Sequence, residues 1–416
     1  MTTHPQFDPA QPPPPLMTGE PGSFAYRTLT TRKPDVIRQV LADYADKYPS
    51  QIIRRLEALF DELTLNKPIQ PLQTTAPDGP SWQQAYQPYQ GRRWLDIPWY
   101  FAEAFLYRRL LEATNYFGGN GPDLAAGQGI DPFLPRKQEE LGSDTPWQVL
   151  ALALSHAEEG AETNLRTLLH HCVWGNRIDL SYNQVAQDAG RAIAVDSEQE
   201  NLLVDDTDPV VEHLSNKHTS PNRRIDFICD NSGTELLMDL ALTDFLLRFN
   251  WARQVTLHVK AHPTFVSDAT PADIDMTIAA IEARGEPFSP LARRLSDQLL
   301  RGRLTVRAHI FWNSSHFFWQ IPASLTAFLA QAHLVIFKGD ANYRRLVGDS
   351  RWPTTVPLSD VVPYFPTSFV TLRTMKSDPI VGLKPGQADK LDQEDAEWRV
   401  NGKRGVIQAL IKDKSE

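Results

Sequence analysis

The chain has 416 residues, a formal net charge of −9, 41% hydrophobic residues and two cysteines. That length supports a large core and two domains. The acidic balance excludes the basic surface that nonspecific nucleic-acid binding needs, and no apolar run reaches the roughly 18 residues of a bilayer span. Cys172 and Cys229 stand far apart, each in an apolar stretch, which argues for two buried thiols rather than a disulfide framework or a Cys-rich zinc site. The N-terminus lacks a basic segment followed by an apolar run, so a cytosolic or nuclear protein with no membrane partner is expected.

Residues 1–20 carry Pro12-Pro13-Pro14-Pro15 and few charges, a composition that favours extended polyproline and reads as a disordered tail. A helical N-terminal domain is expected over 21–185. Apolar residues recur at helical spacing from Pro34 to Leu65 and from Pro98 to Tyr116, for example Trp99, Ala102, Leu106 and Leu110, and again from Thr145 to Cys172. Pro34 and Pro98 stand where helices begin. The glycines between 118 and 129 follow a helix and enclose Pro122 and Asp123; a dinucleotide loop follows a strand and opens a helix, so this is read as a surface loop.

Residues 186–222 are polar and acidic and read as a connecting segment. From 223 to 416 the texture becomes β-rich runs alternating with helical stretches. The runs are Ile225–Cys229, Val255–Val259, Leu304–Ile310, Leu334–Phe337 and Phe369–Leu372. Helical patterns at Glu235–Phe249, Ala272–Ala283 and Leu291–Leu300 lie between them. This alternation predicts an α/β/α sandwich with a mostly parallel sheet, in which ligands bind at the carboxyl ends of the strands.

Four of those strand ends carry polar groups that a core does not need. They are Asp230-Asn231-Ser232-Gly233, Lys260 with Phe265-Val266-Ser267-Asp268, Lys338-Gly339-Asp340-Ala341-Asn342-Tyr343-Arg344, and Arg373-Thr374-Met375-Lys376. Asp230, Asn231 and Asp268 offer the oxygen donors a hard cation such as Mg²⁺ or Mn²⁺ prefers. Lys338, Arg344, Arg373 and Lys376 would meet a phosphate. Each has a plainer reading: Ser232 and Glu235 have capping-box spacing, Asp340 can cap a helix, and a single Lys or Arg after a strand is usually solvated. Phosphate-loop, nucleophile-elbow and H-E-x-x-H signatures are absent. A haloacid-dehalogenase site would need a second Asp where Ser232 stands. Scattered histidines at 170, 171, 258, 262, 309 and 316 form no ligand spacing.

The phrases D-N-S-G-T-E at 230–235, F-V-S-D at 265–268, K-G-D-x-N-Y-R at 338–344 and R-T-M-K at 373–376 closely resemble the damage-control phosphatase family, also called acidic-residue (protein-glutamate) methyltransferases. The R-T-x-K phrase resembles its third subfamily. The likeness extends to Gly22–Tyr26, to Pro98-Trp99 with Glu103 and Tyr107-Arg108-Arg109, and to Trp174–Ser181. It implies a helical N-terminal domain packed on an α/β/α sandwich, with one divalent cation (Mn²⁺, Co²⁺, Ni²⁺ or Mg²⁺) held by Asp230, Asn231 and Asp268. It also implies sugar-phosphate substrates such as fructose 1-phosphate and fructose 6-phosphate, contacted by Asp340 through Arg344 and by Lys376. Asn176, set between Trp174 and Leu180, is expected to line the same cleft. Ala341 replaces a more usual leucine, and no ligand position departs from the pattern.

Two further readings stand beside the phosphatase. An S-adenosylmethionine-dependent carboxyl methyltransferase is suggested by the family's second name, but the glycine-rich turn that would meet that cofactor is missing after Ile225–Cys229. A sugar-phosphate sensor without turnover differs from the phosphatase only in its chemistry, and the oligomeric state is open.

Overall fold

The computed structural model describes residues 7–8, 13–73, 76–118, 122–157, 160–175, 201–216 and 223–412. In chain order, α1 (Phe24–Arg27) runs through a π-helical turn, Thr28–Arg32, into α2 (Lys33–Asp43). Then come α3 (Ser50–Thr64), α4 (Gly79–Tyr86), α5 (Trp99–Ala113), α6 (Leu134–Gly142), α7 (Thr145–Ser155) and α8 (Glu162–Trp174). β1 (Leu202–Asp205), α9 (Thr207–Ser215), β2 (Arg224–Ile228), α10 (Thr234–Arg248), β3 (Gln254–Lys260), α11 (Pro271–Ala283), α12 (Ser289–Leu300) and β4 (Leu304–His309) follow. The chain closes with α13 (Ala323–Leu329), β5 (Leu334–Lys338), α14 (Gly339–Val347), α15 (Leu358–Val361), β6 (Phe369–Thr374), α16 (Gln387–Glu394) and β7 (Gly405–Leu410). None of the described helices is long and apolar enough to cross a membrane.

The described strands form one seven-stranded sheet in the order β1-β7-β6-β5-β2-β3-β4. Every neighbouring pair is parallel except β6 and β7. The inner strands β2, β5 and β6 are buried along their whole length; β5 reads as a near-continuous apolar run, while β2 and β6 carry polar residues that are paired where they are buried, as Asp226 is by Arg224 (2.8 Å). Helices cover both faces, so the expected α/β/α sandwich is what forms. One face holds Leu334, Ile336, Val370 and Leu372 against α7, α8, α10, α11 and α12. The other holds Val335, Phe337 and Phe369 against α13, α14, α15 and α16. Helix α10 is buried from Thr234 to Leu247, as a central helix must be, and its buried acids Glu235 and Asp239 pair with Lys338. A separate core of α2, α3 and α5 residues, such as Ile37, Leu56 and Phe105, takes in Val266 from the loop after β3.

Three sequence expectations change here. The described part of the 1–20 tail is packed rather than disordered: Phe7 sits against Trp319 and Trp352, Leu16 is buried, and Pro15 and Met17 bridge to Ser350 and Pro98. The extended backbone that the prolines impose lets the flanking apolar side chains dock. The acidic stretch expected only to connect carries β1, paired with β7 through Leu202, Val204 and Asp205, and α9, whose Val210, Val211 and Leu214 are buried on the sheet. Helices α7 and α8, expected in the N-terminal domain, supply Trp147, Leu150, Leu165 and Cys172 to the core under the sheet.

Chain order reverses between β2 and β5, since β3 and β4 lie on one side of this pair and β6 on the other. Such a switch point opens a crevice at the carboxyl ends of the strands. The register keeps those ends level, with Ile228 paired to both His258 and Phe337, and Lys338 to Leu372.

Candidate active site

Asp230 and Asn231 stand just past the end of β2, after Cys229, and the loop after β3 folds back to meet them. Ala269 N–H donates to Asp230 O (2.8 Å), Ser232 N–H to Ser267 O (2.6 Å), and Asn231 bridges Asp268 in antiparallel fashion. To make that return the loop holds Phe265 at φ 48° and Val266 at φ 72°. Left-handed backbone costs a β-branched residue roughly 1–2 kcal/mol, and Val266 is held there by its burial in the helical core. From below, Lys137 of α6 donates to Asp268 O (3.1 Å) while pairing with Asp131 (2.9 Å) and Asp273 (2.8 Å).

The side chains are fixed as tightly as the backbone. Ser267 Oγ donates to Asn231 Oδ1 (2.6 Å), and Asn231 Nδ2 donates to Glu235 Oε2 (2.8 Å) and Asp230 Oδ2 (3.1 Å). Lys260 Nζ lies 3.1 Å from Asp268 Oδ2. Gly233 turns the chain into α10 at φ 71°, and a Cβ there would meet Glu140 Oε2 at 2.2 Å. The reason is that the Glu140 carboxylate caps α10 from outside, accepting from Thr234 N (2.8 Å) and Thr234 Oγ1 (2.7 Å). The S-x-x-E spacing of Ser232 and Glu235 is therefore no capping box: Glu235 turns back to hold the Asn231 amide.

Among the described residues no three His, Cys, Asp or Glu side chains gather as a metal cluster; the donors gathered here are two carboxylates and an amide. They suit a hard cation, and one feature asks for it. Asp230 Oδ1 is buried and accepts no hydrogen bond from the described residues. Its carboxyl is pushed well above the usual range, first by burial and then by the charges of Asp268 and Glu235, against the pull of Lys260 and Lys376. A buried cation at this point would remove the repulsion and use the idle oxygen.

Across the cleft, Glu103 of α5 accepts from Arg344 (2.6 Å) and pairs with Lys33 (2.8 Å). Burial works against its ionisation, but Lys33 and Arg344 outweigh it and hold the carboxyl at about 2. Arg344 also grips Asp349 with two nitrogens (2.7 and 3.1 Å) and lies 3.7 Å above the Trp99 ring. Lys33 Nζ donates to the Tyr107 hydroxyl (3.1 Å).

The cleft thus brings together Asp230, Asn231, Asp268, Asp340, Arg344 and Lys376, and adds Arg32, Lys33, Glu103, Tyr107 and Phe265. Three expected phosphate or substrate contacts are not brought there. Lys338 is buried against Asp239 (3.0 Å) and Glu235 (3.5 Å), because the residue after Phe337 points to the opposite sheet face, where α10 lies. Arg373 is buried on the other face and clasps Asp340 (2.7 Å), Pro379 O (2.6 Å) and Ser377. Asn342 braces the end of β2, donating to Cys229 O (3.2 Å) and Lys338 O (2.9 Å). Asp340 lines the cleft, and its Oδ1 accepts from both Arg373 and Lys376 N (3.1 Å), which fixes the turn that presents Lys376. Asn176 lies outside the described residues. Lys33 and Arg32 gave no signal in sequence beyond their place near Pro34, whereas Trp99, Glu103 and Tyr107 share one helix stripe, and an acid between two aromatics there was a readable sign.

The fold and cleft make the chain an α/β protein with an acidic and basic pocket at a sheet switch point, an arrangement that suits an anionic ligand beside a cation. A family model described as the damage-control phosphatase ARMT1-like domain matches residues 28–391. The chain therefore belongs to the damage-control phosphatase ARMT1-like family, which makes it a phosphatase. It is similar to damage-control phosphatase ARMT1 of Mus musculus, 31% identical over 94% of this chain and 97% of that protein. For the protein of that name from Bos taurus the figures are 32%, 96% and 99%, and for that of Homo sapiens 30%, 93% and 96%. A crystal structure of a DUF89 family protein from Pyrococcus horikoshii matches with a TM-score of 0.48 at 16% identity, over 92% of this chain and 97% of that one.

Proposed function

We propose that this phosphatase depends on a divalent metal ion and hydrolyses sugar phosphates of the fructose 1-phosphate or fructose 6-phosphate kind, giving the sugar and inorganic phosphate. The observation that carries the reading is the gathering of Asp230, Asn231 and Asp268 around a buried, idle carboxylate oxygen, with Lys376 across the same cleft. Those three residues would hold Mn²⁺, Co²⁺, Ni²⁺ or Mg²⁺. Bound there, the cation would supply positive charge to the phosphoryl oxygens as negative charge builds in the transition state.

The chain's own residues then divide the remaining work. Lys376 adds a charge-assisted contact to a phosphate oxygen, and Asp340 keeps its backbone in place through the hydrogen bond to Lys376 N. Glu235 and Asp230 hold the amide nitrogen of Asn231 and Ser267 its oxygen, which fixes that side chain beside Asp230. Glu103 neutralises Lys33 and Arg344 in part, which lets a dianion enter without leaving an unbalanced cluster of cations when it departs. Phe24, Trp99 and Phe265 line the cleft and limit water, which strengthens the electrostatic contacts inside.

A phosphate-release screen over sugar phosphates and nucleotides, with Mn²⁺ and with EDTA, tests the proposal. Release that needs the metal and favours sugar phosphates supports it; full release in EDTA, or none from any ester, rejects it.

A further inference from the structure

Resting on the phosphatase reading, we infer that the Tyr107 phenol is the acid that protonates the departing sugar oxygen, with Lys33 behind it to hold the phenolate that forms. An alkoxide is a far stronger base than a phosphate oxygen, so a sugar leaves slowly without a proton, and a placed acid is worth roughly 10²–10⁴-fold in such a step. No histidine lines the cleft, so the proton has to come from another group there. Glu103 is held at about 2 and has none to give. Asp340 serves as an acceptor for Arg373 and Lys376 N. Arginine does not release its proton in proteins, which sets aside Arg32 and Arg344. Asp230, Asn231 and Asp268 are given to the cation and Lys376 to the phosphate oxygens, which leaves Tyr107.

The geometry around the phenol suits that task. Glu103 and Tyr107 are four residues apart on α5 and so share a face, and both line the cleft with Lys33. Lys33 opens α2 straight after the π-helical turn Thr28–Arg32, a form that recurs at functional sites. Its Nζ lies 2.8 Å from Glu103 and donates to the phenol oxygen at 3.1 Å. The phenol is thus an acceptor toward Lys33, and its own hydrogen is donated to none of the described residues. Phe265 and Phe133 hold the Tyr107 ring at 5.0 and 5.7 Å between centres, so the hydroxyl is aimed. Burial pushes the phenol up and Lys33 draws it back only in part, which keeps the proton in place at neutral pH. In the step, the P–O bond to the sugar breaks with its electron pair on the sugar oxygen, and the phenolic proton makes that oxygen a hydroxyl. Water forms the new P–O bond and one of its protons restores the phenol, so ester and water give sugar and phosphate.

The test compares kcat for fructose 1-phosphate and for p-nitrophenyl phosphate, with Mn²⁺ present, in the wild type, Tyr107→Phe and Lys33→Met, each checked by a thermal melt. Nitrophenolate is a weak base and leaves without an acid. Each folded variant should lose at least about tenfold more on the sugar phosphate than on the aryl ester, with Tyr107→Phe the worse of the two. Should Tyr107→Phe fail to fold, Lys33→Met carries the comparison by itself. Equal losses on the two esters in a folded variant, or no loss on either, overturn the assignment, as does a wild type that cleaves the aryl ester alone. A wild type that releases phosphate from neither ester removes the phosphatase reading and, with it, this inference.

Discussion

Replacing Asp230 with Asn should make the metal-free protein more stable while it destroys metal binding. The wild-type carboxylate is buried with Oδ1 accepting no hydrogen bond from the described residues, beside the charges of Asp268 and Glu235. An unsatisfied buried polar group costs about 1–3 kcal/mol, and the repulsion adds to it. The amide keeps the shape, removes the charge and can donate toward a neighbouring carboxylate, so a gain of about 1–3 kcal/mol is expected in EDTA. A kcal/mol moves Tm by about 2–4 °C in domains of 150–250 residues and by less in a longer chain, so the melt should rise by a few degrees. Mn²⁺ should reverse the ranking, since a ligand at a hundredfold its Kd stabilises the folded state by about 2.7 kcal/mol and only the wild type should gain it. The assay is a thermal melt of both proteins in EDTA and across a Mn²⁺ titration. A variant that melts below wild type in EDTA, or gains as much from Mn²⁺, refutes the reasoning.

Lys376→Ala should lower kcat/KM for a sugar phosphate about ten- to a hundredfold, through loss of one charge-assisted contact worth roughly 1.5–3 kcal/mol, with Mn²⁺ affinity unchanged by calorimetry. Lys338→Met should behave differently in kind: it leaves Glu235 and Asp239 buried without their cation and should cost about 3–5 kcal/mol in urea unfolding. A Lys338→Met chain that unfolds like wild type but loses substrate affinity would put this lysine in the cleft after all. His171 is held down at about 4 by burial and then by His156 and His170. Because its folded value lies below the unfolded value, its contribution is complete above about pH 6.5 and is lost as pH falls toward 4, by up to about 3 kcal/mol. Unfolding free energies across that window should show a slope that His171→Gln flattens; an unchanged slope would assign the loss to other groups.

The inner strands β2, β3, β5 and β6 were legible because each concentrates β-branched and aromatic residues in a short run, although buried Asp226, His258 and Arg373 interrupt the apolar pattern. β1 was hidden by its four-residue length and its acidic surroundings, and β7 lies alone near the C-terminus beyond the last α/β alternation. At the site, residues that reach the cleft through the backbone path of a strand end, Asp230, Asn231 and Asp268, could be read from position alone. Side chains whose direction decides their role could not. Lys338 and Arg373 follow apolar residues in their strands, and the alternation of faces sends them to opposite layers. In the helical wall the stripe of Glu103 and Tyr107 was readable, but Lys33 was not, because its partners Glu103 and Tyr107 stand on another helix, and nothing near Glu103 in sequence announces its bond with Arg344.

Anomalous diffraction from crystals soaked in Mn²⁺ tests the central claim most directly. The account predicts one strong peak at the β2–β5 switch point, with oxygens of Asp230, Asn231 and Asp268 within about 2.0–2.6 Å. A peak held by other residues, or none at this cleft in crystals of a protein that releases phosphate only with Mn²⁺, would contradict it.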